Sequence, residues 1–372
     1  MPPLGALGRF FPLSWAPHLC VLDDPGGASN LKSSGLCSGL FSLSQVNLCN
    51  TSSLLLQSLL EALSELKTFR LTSSHVSSEG LAHLTSGLSH CHHLEGLDLS
   101  NNQFGEEDAE VLMGVLEGMC QLKRLDLSHL PLSSSALAML TQRLSHMTLL
   151  QSLRLSHNQI RNIGAQHLAA VLPGLPELRK IDLSGNGIGP DGGVRLAESL
   201  ALCKHLEELM LGYNVLGNIT ALELAQRLPQ HLRVLHLPSS GLSQEGALIL
   251  SQALDGCPYV EEINLAENSL AREVPHFHQG LPLLKQIDLV SCEIDNHAAK
   301  PLAASLALCP ALEEILLSWN LLGDEAAAEL AQVLPQMSRL KRMDLEKNQI
   351  TACGAWLLVE GLARGSGIQV IR

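Results

Sequence analysis

Ionisable and nucleophilic side chains are common in this chain, yet few of them stand at spacings that do chemistry. The run His90-Cys91-His92-His93 has the residue types of a zinc site, but its donors are crowded too closely for the spaced pairs that zinc uses. It reads as a helix-to-strand loop. Ten cysteines are present, of which Cys91, Cys203, Cys257 and Cys309 each precede a strand-opening apolar residue by three places. That phasing keeps them apart and fits small buried thiols in a reducing compartment rather than disulfides. The many Ser and His residues supply no nucleophile, base and orienting group that the pattern brings together. No G-x-x-x-x-G-K-[ST] phosphate loop occurs. Catalytic residues, a metal and a cofactor are therefore not expected.

One ionisable set does recur in phase: Asp98, Asp126, Asp182, Asp288 and Asp344. The same phase is shared by Arg154, Met210, His236, Asn264 and Leu316. Groups at such long intervals act together only if the chain stacks them. Stacked, they form an acidic strip that suits a basic or mixed-charge segment of a partner protein. Aromatics make up only 3% of the chain, and two of them, Tyr213 and Trp319, follow Met210 and Leu316 by three residues. Tyr and Trp are favoured interface anchors. The candidate protein-binding residues are these five aspartates with Met210, Tyr213, Leu316 and Trp319.

The element that must position them is the phrase L-R-K-I-D-L-S-G-N-G-I-G at 178–189. Leu178, Ile181, Leu183 and Ile188 point inward, and Arg179, Lys180, Asp182 and Ser184 are left to solvent, which describes a short strand and a tight bend. Close copies stand at 94–105, 150–160 and 312–323. With Ile181 as marker, its equivalents are Phe69, Leu97, Leu125, Leu153, Leu209, Leu235, Ile263, Ile287, Ile315, Met343 and Ile371. The step is 28 residues, except 26 before Leu235 and 24 before Ile287. This is the L-x-x-L-x-L-x-x-N-x-L signature of leucine-rich repeats, in about a dozen copies.

After nearly every bend come a small residue and two leucines, as in Gly193, Leu196 and Leu200, or Ala327, Leu330 and Leu334. The i, i+3, i+7 spacing predicts a helix in every repeat, with the small residue allowing helix and sheet to approach. Helices are about 10 Å wide and strands about 4.8 Å apart, so the helices take the outer arc. The predicted fold is an α/β leucine-rich-repeat solenoid, a horseshoe with a parallel concave sheet and helices on the convex side. The bend asparagines Asn102, Asn158, Asn186, Asn214, Asn268, Asn320 and Asn348 are expected to bond backbone groups in their own and adjoining repeats. Repeats with Ser74, Leu130, Ser240 or Cys292 at this place should be looser. In the short repeat the leucine positions fall on His278 and Pro282, which predicts a short or absent helix.

Residues 1–45 are rich in Pro, Gly and Ser and are expected to be poorly ordered, with a decayed strand over 43–48. The repeat domain is placed at 46–372, ending inside a strand without a capping repeat. The opening 22 residues have no charge before their apolar run, and carry Arg9, Pro12 and Pro17, unlike a signal peptide. No run reaches the roughly 18 apolar residues of a membrane span. The net charge of −13 argues against nucleic acid and anionic membranes as partners. Beside the strand leucines, Arg179-Lys180, Glu207-Glu208, Arg233-Val234, Glu261-Glu262, Lys285-Gln286, Glu313-Glu314 and Lys341-Arg342 alternate in sign and should pair laterally.

The 28-residue period with strand and helix resembles the ribonuclease-inhibitor class of leucine-rich repeats. Phrases such as I-R-N-I-G-A-Q-H-L-A at 160–169, and L-A-L-C before strands, are similar to the repeats of NOD-like receptors. Within that family the likeness is to the CARD-containing branch that transactivates MHC class I genes. The resemblance covers about 50–372 and implies a non-enzymatic interaction scaffold of an immune regulator in cytoplasm and nucleus, tied to NF-κB and interferon signalling. The family's nucleotide-binding domain and CARD have no counterpart here, so ATP-driven assembly does not carry over. The alternative within the repeat class is a ribonuclease-inhibitor-like or Ran GTPase-activator-like enzyme regulator; a long acidic tail would favour the GTPase activator, and this sequence shows none.

Overall fold

The computed structural model describes residues 40–44, 47–48, 50–63, 65–102, 104, 106–272, 275, 277–364 and 370–371. Most of the segment expected to be poorly ordered, and Arg372, lie outside them. The chain divides into two units, Met1–Pro131 and Leu132–Arg372.

In the first unit, β1 (Leu40–Ser44), β2 (Asn47–Leu48), α1 (Asn50–Ala62), β3 (Thr68–Thr72), β4 (His75–Val76), α2 (Ser78–Leu88), β5 (Gly96–Asp98), α3 (Glu106–Val115) and β6 (Arg124–Asp126) follow in order. Strands β1, β3, β5 and β6 pair in parallel, each marker residue opposite the next: Phe41, Phe69, Leu97 and Leu125. The first strand thus starts at Leu40, not at 43, one full period before β3. A side ladder pairs β2 with β4.

The second unit runs through α4 (Ser134–Leu144), β7 (Ser152–Arg154), α5 (Arg161–Val171), β8 (Lys180–Asp182), α6 (Pro190–Leu200), β9 (Glu208–Met210) and α7 (Gly217–Ala225). It continues with β10 (Val234–His236), α8 (Gln244–Leu254), β11 (Glu262–Asn264), β12 (Gln286–Asp288), α9 (Asn296–Ala307), β13 (Glu314–Leu316), α10 (Asp324–Val333), β14 (Arg342–Asp344), α11 (Ala352–Ala363) and β15 (Val370–Ile371). Strands β7 to β15 are parallel neighbours in chain order. Both units are leucine-rich-repeat solenoids with the strands on one side and the helices on the other.

Helix α6 shows how a repeat is built. Pro190 opens it after the extended Gly189, Asp191 sits in its positive first turn, and Gly193, Leu196 and Leu200 form the buried face. Leu196 and Leu200 are all but inaccessible, as are their equivalents Leu168, Leu250, Leu330 and Leu334. The small residue serves a contact other than the one the pattern suggests. A Cβ on Gly193 would strike Thr220 and Leu216 of the following repeat, so close approach is between consecutive helices.

Between β11 and β12 the described residues hold no helix. The core positions are not lost, however: Phe277 and Leu281 are fully buried in place of the leucines, one residue before His278 and Pro282. The loop is tied down by side chains. Phe277 N–H donates to Ser305 Oγ (3.2 Å), His278 N–H to Asp255 Oδ2 (3.1 Å), and Arg272 pairs with Asp295 (3.2 Å). Gly280, at φ +72°, lies so close to the Leu308 backbone that no Cβ fits.

Two measurements test this packing. Leu200→Ala should cost about 2–5 kcal/mol of unfolding free energy in denaturant melts, as a fully buried leucine does; a loss under about 1 kcal/mol would contradict the assigned face. Amide exchange at 277–279, where N–H groups rest on the side chains of Ser305 and Asp255, should outpace that in α10, where they sit in a helical ladder. Equal protection would mean the loop is as cooperative as a helix.

Candidate functional site

The sheet face depends on the bend that ends each strand. Asn186 donates through Nδ2 to Leu155 O of the preceding repeat and Leu183 O of its own (both 2.8 Å), and its Oδ1 accepts from Asn158 N–H (2.8 Å). Asn102, Asn214, Asn268, Asn320 and Asn348 make the same two kinds of Nδ2 bond. Asn158 is likewise buried. Where the asparagine is replaced, the place stays closed. Ser74, Leu130, Ser240 and Cys292 are all buried, and the N–H of Ser74, Ser240 and Cys292 is taken by the next repeat's Asn Oδ1 at 2.8–3.0 Å. The Ser74 and Ser240 hydroxyls each donate to a carbonyl of their own bend.

The residue before each bend asparagine has a left-handed backbone: φ is +60° at Asn101, +55° at Tyr213, +57° at Glu267, +58° at Trp319 and +59° at Lys347. This turns the side chain out of the stack. Tyr213 and Trp319 are among the exposed large side chains, and the Lys347 ammonium lies 5.7 Å from the Trp319 ring centre.

The column of alternating sign forms lateral chains within each unit. In the second unit Arg179, Glu207, Arg233, Glu261 and Lys285 are linked at 2.5, 3.5, 2.6 and 2.5 Å. Glu313 joins Lys341 at 2.5 Å, and Lys180 pairs with Glu208. In the first unit Glu95 lies between Lys67 (3.6 Å) and Lys123 (2.8 Å). The hydrogen bonds from Lys123 hold the Glu95 carboxyl below its ordinary pKa, and those from Lys285 do so for Glu261. Exposed pairs of this kind contribute roughly 0.2–1 kcal/mol each.

The middle column is less free than its sequence suggests. Asp98 Oδ1 accepts from Ser100 N–H (3.1 Å), Asp126 from Ser128 (3.0 Å), Asp182 from Ser184 (3.0 Å), Asp288 from Val290 (3.1 Å) and Asp344 from Glu346 (3.2 Å). Each caps the amide two residues on, an Asx turn. Asn264 does the same toward Ala266 (3.0 Å), so the bond needs an amide or carboxylate oxygen and no charge. Asp98 also pairs with Arg70 at 2.9 Å, and Asp344 with Arg342 at 3.2 Å. The acids therefore have structural partners that sequence reading did not assign. Met210 and Leu316 lie half-buried between them. Burial pushes the Asp288 carboxyl up from its ordinary value.

A second ladder on the helix side went unread. Asn162 Oδ1 accepts from Gly189 N–H (2.7 Å), Asn218 from Ser243 (3.0 Å), Asn296 from Gly323 (2.7 Å) and Asp324 from Thr351 (2.8 Å). One side chain at the start of a helix thus caps the start of the next. The signal was available, since 162, 218, 296 and 324 share one repeat phase, but the intervening Pro190 and Gln244 interrupt it.

Among the described residues no cluster of three or more His, Cys, Asp or Glu side chains could hold a metal ion. Within His90-Cys91-His92-His93, Cys91 is buried against Leu60 O (3.6 Å) and His93 faces Glu65 (3.9 Å). Desolvation raises the Cys91, Cys203 and Cys257 thiols to about 11 and Cys292 to about 12, so they stay protonated. No described helix is long and apolar enough to cross a membrane.

The leucine-rich repeat family model matches residues 90–113, 146–169 and 175–197. The chain carries leucine-rich repeats. Over 89% of its length it is similar to Protein NLRC5, at 73% identity to the human protein and 52% to the mouse protein. It spans 19% and 22% of the length of these curated relatives. Among solved structures, the TLR13–ssRNA13 complex shares the fold, with TM-score 0.51 and 18% identity over 93% of this chain and 45% of that one.

His236, at the centre of the sheet face, gives a pH test. Burial lowers its pKa from the ordinary 6.5, opposed by Glu262 (3.6 Å away) and, more weakly, by Asp288 and Asp182, while Lys180 adds to the lowering. The unfolded chain then takes up the proton first on acidification. The stability contributed by the neutral ring is complete above pH 6.5 and is lost as pH falls below it. Melting temperature should therefore fall less between about pH 7 and about pH 5.5 in His236→Gln than in the parent chain. Parallel profiles would remove the assignment.

Proposed function

We propose that this chain is a non-enzymatic protein-binding scaffold of an immune regulator, working in cytoplasm and nucleus, with its sheet face as the docking surface. The likeness to NLRC5 supports the immune setting. As that regulator's roles we propose transactivation of MHC class I genes and restraint of NF-κB and interferon signalling. The observation that carries the docking surface is the contrast across the sheet of the second unit. The outer charge column is laterally paired, whereas Tyr213 and Trp319 project beside carboxylates whose bonds to the bend leave negative charge facing outward. Such a face suits a protein segment with basic residues, drawn in by charge and held by charge-assisted hydrogen bonds.

Asp182→Asn with Asp288→Asn tests this cleanly. Asn keeps the oxygen that caps Ser184 and Val290, as Asn264 does in its own repeat, and removes the charge together with the bond that Asp288 Oδ2 accepts from Asn264 Nδ2 (3.2 Å). Unfolding free energy should fall by no more than about 1.5 kcal/mol, the worth of one side-chain hydrogen bond, while proteins co-purified from interferon-treated cells should fall in yield, and more steeply for the parent chain as salt is raised. Unchanged recovery of every partner would place binding on another face.

A further inference from the structure

Large apolar side chains are exposed in pairs at one place of the repeat, and only in two repeats of the second unit's rim. Tyr213 and Val215 are 51% and 68% exposed; Trp319 and Leu321 are 61% and 47% exposed. Each pair brackets its bend asparagine, so the rigid, hydrogen-bonded turn holds it. In the three repeats between, the same two places hold Ser239 and Gly241, Glu267 and Ser269, and Ser291 and Glu293. Two apolar posts therefore stand at the ends of a low, polar trough. Trp319 is steadied further by Lys347 against its ring.

The spacing is set by the sheet. Posts on β9 and β13 are four strand intervals apart, about 19 Å at 4.8 Å each. An extended chain rising about 3.3 Å per residue covers that in roughly six residues. The trough between is acidic. The strand residues facing it from β10 to β12 are Val234, His236, Glu262, Asn264, Gln286 and Asp288, with no lysine or arginine among them. Glu267, at the middle of the rim, has no hydrogen bond or ion pair from its carboxylate among the described residues. Burial raises the Tyr213 hydroxyl in pKa, and the charges of Glu267 and then Asp288 add to the rise.

We infer that this rim is a two-post cradle for an extended segment of a partner protein, with apolar side chains about six residues apart on the posts and a lysine or arginine between them over Glu267. The segment crosses the strands at right angles, so it cannot extend the sheet, and side-chain spacing alone sets its register. This rests on the sheet-face reading above and adds its chemistry.

The test uses labelled synthetic peptides and fluorescence anisotropy on the full chain. The probe carries two leucines about six residues apart with two arginines between, on a serine background. One control brings the leucines within about three residues, and another changes the arginines to glutamates. The probe should bind, and each control should bind at least about tenfold more weakly. Tyr213→Ala and Trp319→Ala should each weaken the probe about tenfold, and Glu267→Gln should flatten its salt dependence. Both aromatics are exposed, so circular dichroism and melting should stay as in the parent. No binding of the probe, equal binding of the short-spaced peptide, or indifference to both aromatic variants would overturn the cradle. If partners from cells still depend on Asp182 and Asp288 in that event, the sheet-face reading survives; if they do not, both fall.

Discussion

Everything in this molecule hangs on a backbone carbonyl that cannot find its partner inside its own repeat. A chain that ends a strand and turns sharply leaves polar groups facing a leucine core, where an unsatisfied group costs about 1–3 kcal/mol. The bend asparagine answers for several at once. Its Nδ2 reaches back to Leu155 O and across to Leu183 O, and its Oδ1 takes the N–H of the bend before it, as at Asn186. Each repeat is therefore completed by its neighbour, and no repeat is a folding unit by itself. Parallel strands, stacked leucines and the side-chain columns follow from that linkage.

The parts of the structure that repeat were readable, and the parts that depend on what lies beside a residue were less so. Leu196, Leu200 and their equivalents announce themselves because the core asks every repeat for the same shape. Phe277 and Leu281 were misread as His278 and Pro282 because, once a helix is lost, periodicity no longer tells which residue turns inward. Asp98 looked like one of two adjacent acids until Arg70 was found against it, from a strand whose sequence shows less of the pattern. The outer ladder could be anticipated because it alternates by whole repeats, as Arg179, Glu207 and Arg233 do. The cap from Asn162 to Gly189 left a fainter trace in the sequence, one repeat phase that some repeats fill and others skip.

The loop that replaces a helix between β11 and β12 shows what a repeat can give up. Its core side chains remain, and its backbone is held by Asp255 and Ser305 instead of by a helical ladder. What is missing is width on the helix side, where neighbouring elements set the curvature of the stack. The sheet continues through the gap in unbroken parallel register, so the face that carries the candidate residues is insulated from what happens behind it.

The left-handed residue ahead of each asparagine has a further meaning. Its conformation costs a non-glycine side chain about 1–2 kcal/mol, and that cost is nearly the same whatever the side chain, because the group leaves the stack at once. In this chain the place is filled by Ser73, Asn101, His129, His157, Tyr213, Ser239, Glu267, Ser291, Trp319 and Lys347, beside a neighbour that is asparagine in most of those repeats. A demanding site and an indifferent one thus sit side by side, repeated down the stack. New specificities can be written into the indifferent row one letter at a time, each change nearly silent for folding, so a solenoid of this kind can diversify what it recognises without renegotiating how it stands.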